Sequence, residues 1–104
     1  ANVRIGGASM VTGGVRISKD VPPFIVATDN PVRYGGVNET LLKNSGTDHK
    51  VIGHIANAYR LVFHGQTSVF DAINQIKEQV PPGKEIDSIV SFLESTQIGI
   101  ISKM

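Results

Sequence analysis

Residues 37–46, VNETLLKNSG, gather four side chains able to hold a polar ligand: Asn38, Glu39, Lys43 and Asn44. Amides, a carboxylate and an ammonium at this spacing can form one edge of a pocket for a charged small molecule. The same residues can cap a helix and face water. The histidines are the obvious acid–base candidates. His49 and His54 stand five apart, off a shared helical face, and read as surface residues. His64 lies beside a helix stop, where the helix dipole favours it, and no Ser-His-Asp arrangement is suggested. No carboxylate and histidine recur at metal-ligand spacing, so no metal is expected. Asp71 and Glu78 read as solvated helix acids. The glycine pairs Gly6-Gly7 and Gly13-Gly14 are too short for a dinucleotide fingerprint or a phosphate loop. They read as chain corners, and Gly13 or Gly14 would leave room for a long apolar chain if it bordered a groove between subunits.

The elements that position these residues follow from a change of period. Ile5, Val11 and Ile17 stand six apart with glycines between them, where a helix would lose about 1 kcal/mol per glycine. That spacing predicts hexapeptide turns of a parallel β-helix with the aliphatic residues inward, the alternative being an irregular or antiparallel strand pair with glycine turns. One coil cannot bury its own face, so further coils are expected upstream. Pro22 and Pro23 remove two donors and are expected to stop the ladder. Phe24 to Ala27 follow as one extended segment, and Asp29-Asn30-Pro31 as a turn.

From residue 38 the period becomes helical. A short helix over Glu39 to Asn44 is predicted with Asn38 as cap, Leu41 and Leu42 buried, and Gly46 ending it. Asp48 caps a second, with Ile52, Ile55, Tyr59, Val62 and Phe63 inward. Ser68 and Asp71 form a capping box before a third, with Phe70, Ile73, Ile76 and Val80 inward. A fourth covers roughly Lys84 to Thr96, with Ile86, Ile89, Val90 and Leu93 inward. The expected fold class is mixed: the last coil of a parallel β-helix over residues 1–27, a linker and turn over 28–37, and a small all-α domain of three to four short helices over 38–104.

Composition narrows the function. The 104 residues allow one modest core. Ten Lys and Arg against nine Asp and Glu give a net charge of +1, which argues against a nucleic-acid surface. Residues 1–60 carry seven of those cations against four acids, a slight tilt that suits an anionic partner. With no Cys there is no disulfide, cysteine-ligated metal or thiol nucleophile. No transmembrane segment is expected, since no window approaches eighteen apolar residues. The first residues lack a secretory pattern.

The stretches MVTGG, SKDVPPF, DNPVRYGGVN, LLKNSG, ANAYRLVFHG and TQIGI, in this order and at these distances, resemble the C-terminal third of the acyl-carrier-protein-dependent UDP-N-acetylglucosamine O-acyltransferases. That family makes the first acyl transfer of lipid A synthesis. DVPPF alone is common to many hexapeptide acyltransferases; followed by GGVN and AYRLVF it is far more specific. The resemblance implies a cytoplasmic homotrimer of left-handed β-helices, each ending in a helical domain, with active sites between subunits and no cofactor. Its substrates would be a 3-hydroxyacyl group on acyl carrier protein and the 3-hydroxyl of UDP-N-acetylglucosamine. The general-base histidine is expected upstream of residue 1, so none of the catalytic residues is expected here.

By the same resemblance Gly13 matches the position that sets acyl-chain length, Met10 one that lines the sugar and acyl groove, and Asn38 and Lys43 residues that hold the nucleotide sugar. Asn44 belongs to the same substrate lip but, with Ser45, stands where the family has two arginines, which present a charged planar fork that asparagine cannot reproduce. Thr40, Thr47 and Ile98 depart from the family's glutamate, phenylalanine and arginine. Arg16, Lys19, Arg33 and Lys50 are the candidates for contact with the acidic carrier. Two other readings stand beside this one: an acyltransferase for a different nucleotide sugar, and a non-catalytic trimerisation or carrier-binding module.

Overall fold

The computed structural model describes residues 3–13, 17–29, 32–65, 68–97 and 99–101. Three strands, β1 (Met10–Val11), β2 (Ile25–Thr28) and β3 (Arg33–Val37), precede four helices. These are α1 (Glu39–Asn44), α2 (His49–Phe63), α3 (Val69–Gln79) and α4 (Lys84–Ser95). Strands β1 and β2 pair in parallel, Met10 with Val26 and Val11 with Ala27, and an isolated parallel bridge joins Ile5 to Val21. Every pair is offset by the same sixteen residues, so the chain returns beside itself once per turn as a parallel coil requires. β3 then lies antiparallel on the far side of β2.

Several sequence expectations change here. Arg33–Val37, assigned to linker and turn, is a strand whose Tyr34 is buried against α2. The prolines do not end the ladder. They make a corner, and pairing resumes in β2, because Pro22 and Pro23 sit where no donor is needed and their carbonyls are used instead: Ser9 Oγ donates to Pro22 at 2.6 Å and the Tyr59 hydroxyl to Pro23 at 2.6 Å. Gly6 packs so closely on this corner that a Cβ there would meet the Pro23 backbone nitrogen at 2.3 Å. Ile5 is not inward but 55% exposed, because its rung is covered on one side only; Val11 and Ile17 are half-buried against the core.

Asp48 and Ser68 cap α2 and α3 as expected, accepting from the amides of Lys50 at 2.7 Å and Asp71 at 3.1 Å. The predicted stripe of α2 is buried throughout and also includes Ala58 and Leu61. Leu41 faces solvent while Leu42 is buried, since a six-residue helix offers the core one side only. Phe70 is 73% exposed. The buried arc of α3 is centred on Ile76, between Ala72 and Ile73, and at about 100° per residue Phe70 lies some 60° beyond its edge. In α4, Ile86, Ile89 and Leu93 are buried and Val90 packs at the margin. The core joins sheet to helices through Tyr34, stacked on Phe63 with centroids 4.1 Å apart.

A buried carboxylate ties the coil to the helical end. Asp20, 2% exposed, accepts from the Arg4 amide at 2.8 Å and the Thr96 hydroxyl at 2.6 Å. Its own backbone donates to the Gly99 carbonyl at 2.9 Å and accepts from the Ile101 amide at 3.0 Å. The Arg4 guanidinium reaches the end of α4, donating to Ser95 Oγ at 2.9 Å and lying 4.3 Å from the Phe92 ring centroid.

Candidate functional site

At the junction of coil and helices, β1, β2, the end of β3 and α1 enclose an open cleft of about 640 Å³. Its lining brings together Ser9, Met10, Val26 and Val37 from the sheet with Asn38, Glu39, Thr40, Leu41 and Asn44 from the start and outer side of α1. One wall is therefore apolar and the other carries amides, hydroxyls and a carboxylate.

Asn38 anchors the polar wall. Its side chain does not cap α1. It is 9% exposed, and Nδ2 donates to the Ala8 carbonyl at 3.2 Å while its backbone amide donates to Phe24 at 2.7 Å. The side chain thus spans from one element to another instead of turning back on its own helix. Ala8 and Phe24 both have positive φ, at 57° and 69°, an uncommon conformation for residues with a Cβ. The Phe24 amide donates to Gly7 at 3.0 Å, so the two corners hold each other and Asn38 holds both.

The structure thus gathers Met10, Asn38 and Asn44 from the predicted substrate residues. Lys43 is exposed on α1 but does not line the cleft, and Gly13 is exposed elsewhere on the coil, where an added Cβ would meet nothing within 4 Å. Ser45 donates its hydroxyl to Leu41 at 2.8 Å and so finishes the helix. Of the four carrier-contact candidates, Arg33 pairs with Asp29 at 2.6 Å, Lys19 and Lys50 are exposed on the coil and α2, and Arg16 lies outside the described residues, as do Gly14 and Ile98. Glu39, one of the four polar side chains considered for a pocket edge, lines the cleft; sequence reasoning missed Ser9 as a lining residue, and the Asp20 cluster altogether. A buried acid inside DVPPF carries no periodic signal.

Of the histidines, His49 and His64 are exposed and His54 is half-buried, with His64 edge-on to Tyr34 at 6.1 Å. Among the described residues no three histidines and carboxylates come together in a way that could hold a metal ion. A second groove, about 560 Å³ between α3 and α4, includes Phe70, Ile73 and Leu93 beside the Lys77 to Glu94 ion pair at 3.2 Å, and among the described residues contains none of the predicted site residues. No helix among the described residues is long and apolar enough to cross a membrane.

A parallel coil running into a four-helix cap, with a half-polar cleft at the junction, defines a recognisable class. The chain is similar to a solved UDP-N-acetylglucosamine acyltransferase from Bacteroides fragilis, with TM-score 0.95 and 38% identity over 96% of this chain and 39% of that one. The corresponding Acinetobacter baumannii structure gives TM-score 0.92 and 31% identity over 96% of this chain and 39% of that one. Among curated proteins, the acyl-[acyl-carrier-protein]--UDP-N-acetylglucosamine O-acyltransferase of Burkholderia mallei is 35% identical over 103 residues, 95% of this chain and 39% of the relative. The family model described as UDP N-acetylglucosamine O-acyltransferase, domain 2, matches residues 20–101, and the chain belongs to that family. It spans about two-fifths of the length of these relatives.

Proposed function

We propose that this chain is the C-terminal portion of an O-acyltransferase that moves a 3-hydroxyacyl group from acyl carrier protein to the 3-hydroxyl of UDP-N-acetylglucosamine in lipid A biosynthesis. The whole enzyme works in the cytoplasm as a homotrimer of left-handed β-helices. The observation that carries the reading is the cleft, where Met10 on the coil and Asn38 and Asn44 on the cap meet around space for a polar ligand with an apolar arm. In the reaction the sugar oxygen forms a bond to the acyl carbon and the carbon–sulfur bond of the thioester breaks. A histidine outside this chain takes the hydroxyl proton, a backbone amide stabilises the oxyanion, and the thiolate leaves on the carrier. This chain's share is to bind and orient. Asn38 and Asn44 present amides to the sugar nucleotide, Lys43 supplies charge from the outer side of α1, and Met10 and Gly13 border the acyl groove.

One observation favours a different acceptor sugar or a binding role without catalysis: among the described residues, Glu39 is the only charged one lining the cleft, with Asn44 in place of an arginine. Calorimetric titration of the full-length protein with UDP-N-acetylglucosamine, beside Asn44→Arg/Ser45→Arg, separates the readings. The expected result is binding by the native protein in the micromolar to millimolar range usual for substrates. Silence in the native protein with binding regained in the double variant overturns the choice of acceptor.

A further inference from the structure

Two backbone carbonyls decide what the cleft can offer a ligand. A carbonyl only accepts, so a side chain bonded to it must spend a proton there. Ser9 Oγ lies 2.6 Å from the Pro22 carbonyl and donates to it. A hydroxyl has one proton, so what Ser9 keeps for the cleft it lines is lone pairs alone. Asn38 is oriented by the same rule. Nδ2 sits on the Ala8 carbonyl at 3.2 Å, which turns Oδ1 away from it. Oδ1 accepts from none of the described residues, and among these no side-chain oxygen or nitrogen is buried without a partner, so Oδ1 is open to solvent where Asn38 lines the cleft. The Ala8 carbonyl belongs to the peptide that joins Ala8 to Ser9, so both acceptors share one corner. The carboxylate of Glu39, the next lining residue, also only accepts. Side chains able to donate, Thr40 and Asn44, stand four apart on α1, and Asn44 is about 9 Å along the axis from Asn38.

We propose that Ser9 is a specificity-determining residue, a fixed one-way acceptor that selects a hydroxyl on the ligand, with Asn38 Oδ1 at the same corner. Turning the Ser9 proton into the cleft would take this bond from the carbonyl of buried Pro22, so the hydroxyl cannot reverse its role without loss. The oxygens of a diphosphate carry no proton to give and would meet the Glu39 charge as well, so phosphates lie away from this corner. A hydroxyl donates one proton and satisfies it. That this hydroxyl belongs to UDP-N-acetylglucosamine or to the hydroxyacyl chain rests on the function proposed above; that the ligand must donate here rests on the two carbonyls.

The test is calorimetric titration of the full-length protein with UDP-N-acetylglucosamine and with analogues that each lack one hydroxyl of the ribose or the sugar. Acyl carrier protein bearing a 3-hydroxyacyl or a plain acyl chain forms a second arm, which tells the two sources of the hydroxyl apart. Wild type is compared with three variants. Ser9→Ala removes the acceptor, Ser9→Cys keeps a weak donor for Pro22 but accepts poorly, and Ser9→Thr keeps both functions. Circular dichroism checks folding, and Ser9→Cys carries the comparison if Ser9→Ala does not fold. In wild type one deoxy ligand should bind about fivefold more weakly than its parent. In Ser9→Ala and Ser9→Cys that gap should close to within about twofold, because the parent loses affinity and the deoxy ligand does not. Ser9→Thr should restore the gap. A Ser9 that only braces the corner would weaken parent and deoxy ligand alike, and an unchanged ratio in the variants overturns its role while the proposed function stands. So does a wild type indifferent to the loss of every hydroxyl. A wild type that binds neither the nucleotide sugar nor the acylated carrier overturns the proposed function and this role with it.

Discussion

Asp20 brings opposing effects to a single carboxyl. Burial pushes its pKa up, but the Thr96 hydroxyl, the Arg4 amide and the Arg4 guanidinium together outweigh that and hold it below the ordinary carboxylate value. The ion pair itself is long, 3.8 Å, and Arg4 is half-exposed, so hydrogen bonding counts for more than charge pairing. Because the folded pKa lies below the unfolded one, the ionised carboxyl stabilises the folded protein at neutral pH. This contribution fades as pH falls below about 4 and towards the folded value. Asp20→Asn, which cannot accept both hydrogen bonds through one amide, should cost about 1–3 kcal/mol at pH 7. The gap between wild type and variant should shrink on acidification. Denaturant titrations at pH 7 and pH 3.5 that show a constant gap would remove the carboxylate from this role. Asn38 behaves differently: its Nδ2 donates to Ala8, so it shapes the cleft as well as lining it.

Among the elements, α3 separates what pattern reveals from what only packing decides. Phe70 and Ile76 belong to the same predicted stripe, yet one is 73% exposed and the other fully buried. Ile76→Ala should destabilise by about 2–5 kcal/mol and Phe70→Ala by no more than about 0.5 kcal/mol. Thermal denaturation of the two variants checks this, and comparable losses would place Phe70 in the core. The helices were legible because caps at Asp48 and Ser68 and a sustained apolar period fix their limits locally. β3 was not. RYGGV holds two glycines and no alternation, and it is a strand because β2 offers an edge and Tyr34 finds Phe63. The cleft was legible in part: Asn38, Glu39 and Asn44 stood out by residue type and spacing, and Met10 came from the resemblance. Glu39 became a lining residue, and Lys43 did not, through the direction in which α1 leaves β3, which no local pattern encodes.

For the molecule as a whole, the rung at Asp20 sets an order of assembly. Its bonds to Thr96 and its bridge to Ile100 join residues about eighty positions apart, and Arg4 reaches Ser95 across 91. The helices need only neighbours four residues away. Loop closure must be met before such distant pairs gain anything, so the helical end should organise first and the rung close over it last. Pulsed hydrogen exchange during refolding should find α2 amides protected before those of Asp20 and Ile101, and simultaneous protection would contradict this order. The rung therefore works as a completion mark for folding: until it closes, the uncovered Val21 and Ile101 leave a sticky intermediate. Aggregation during refolding should then track the lifetime of that open rung more closely than the final stability of the folded chain.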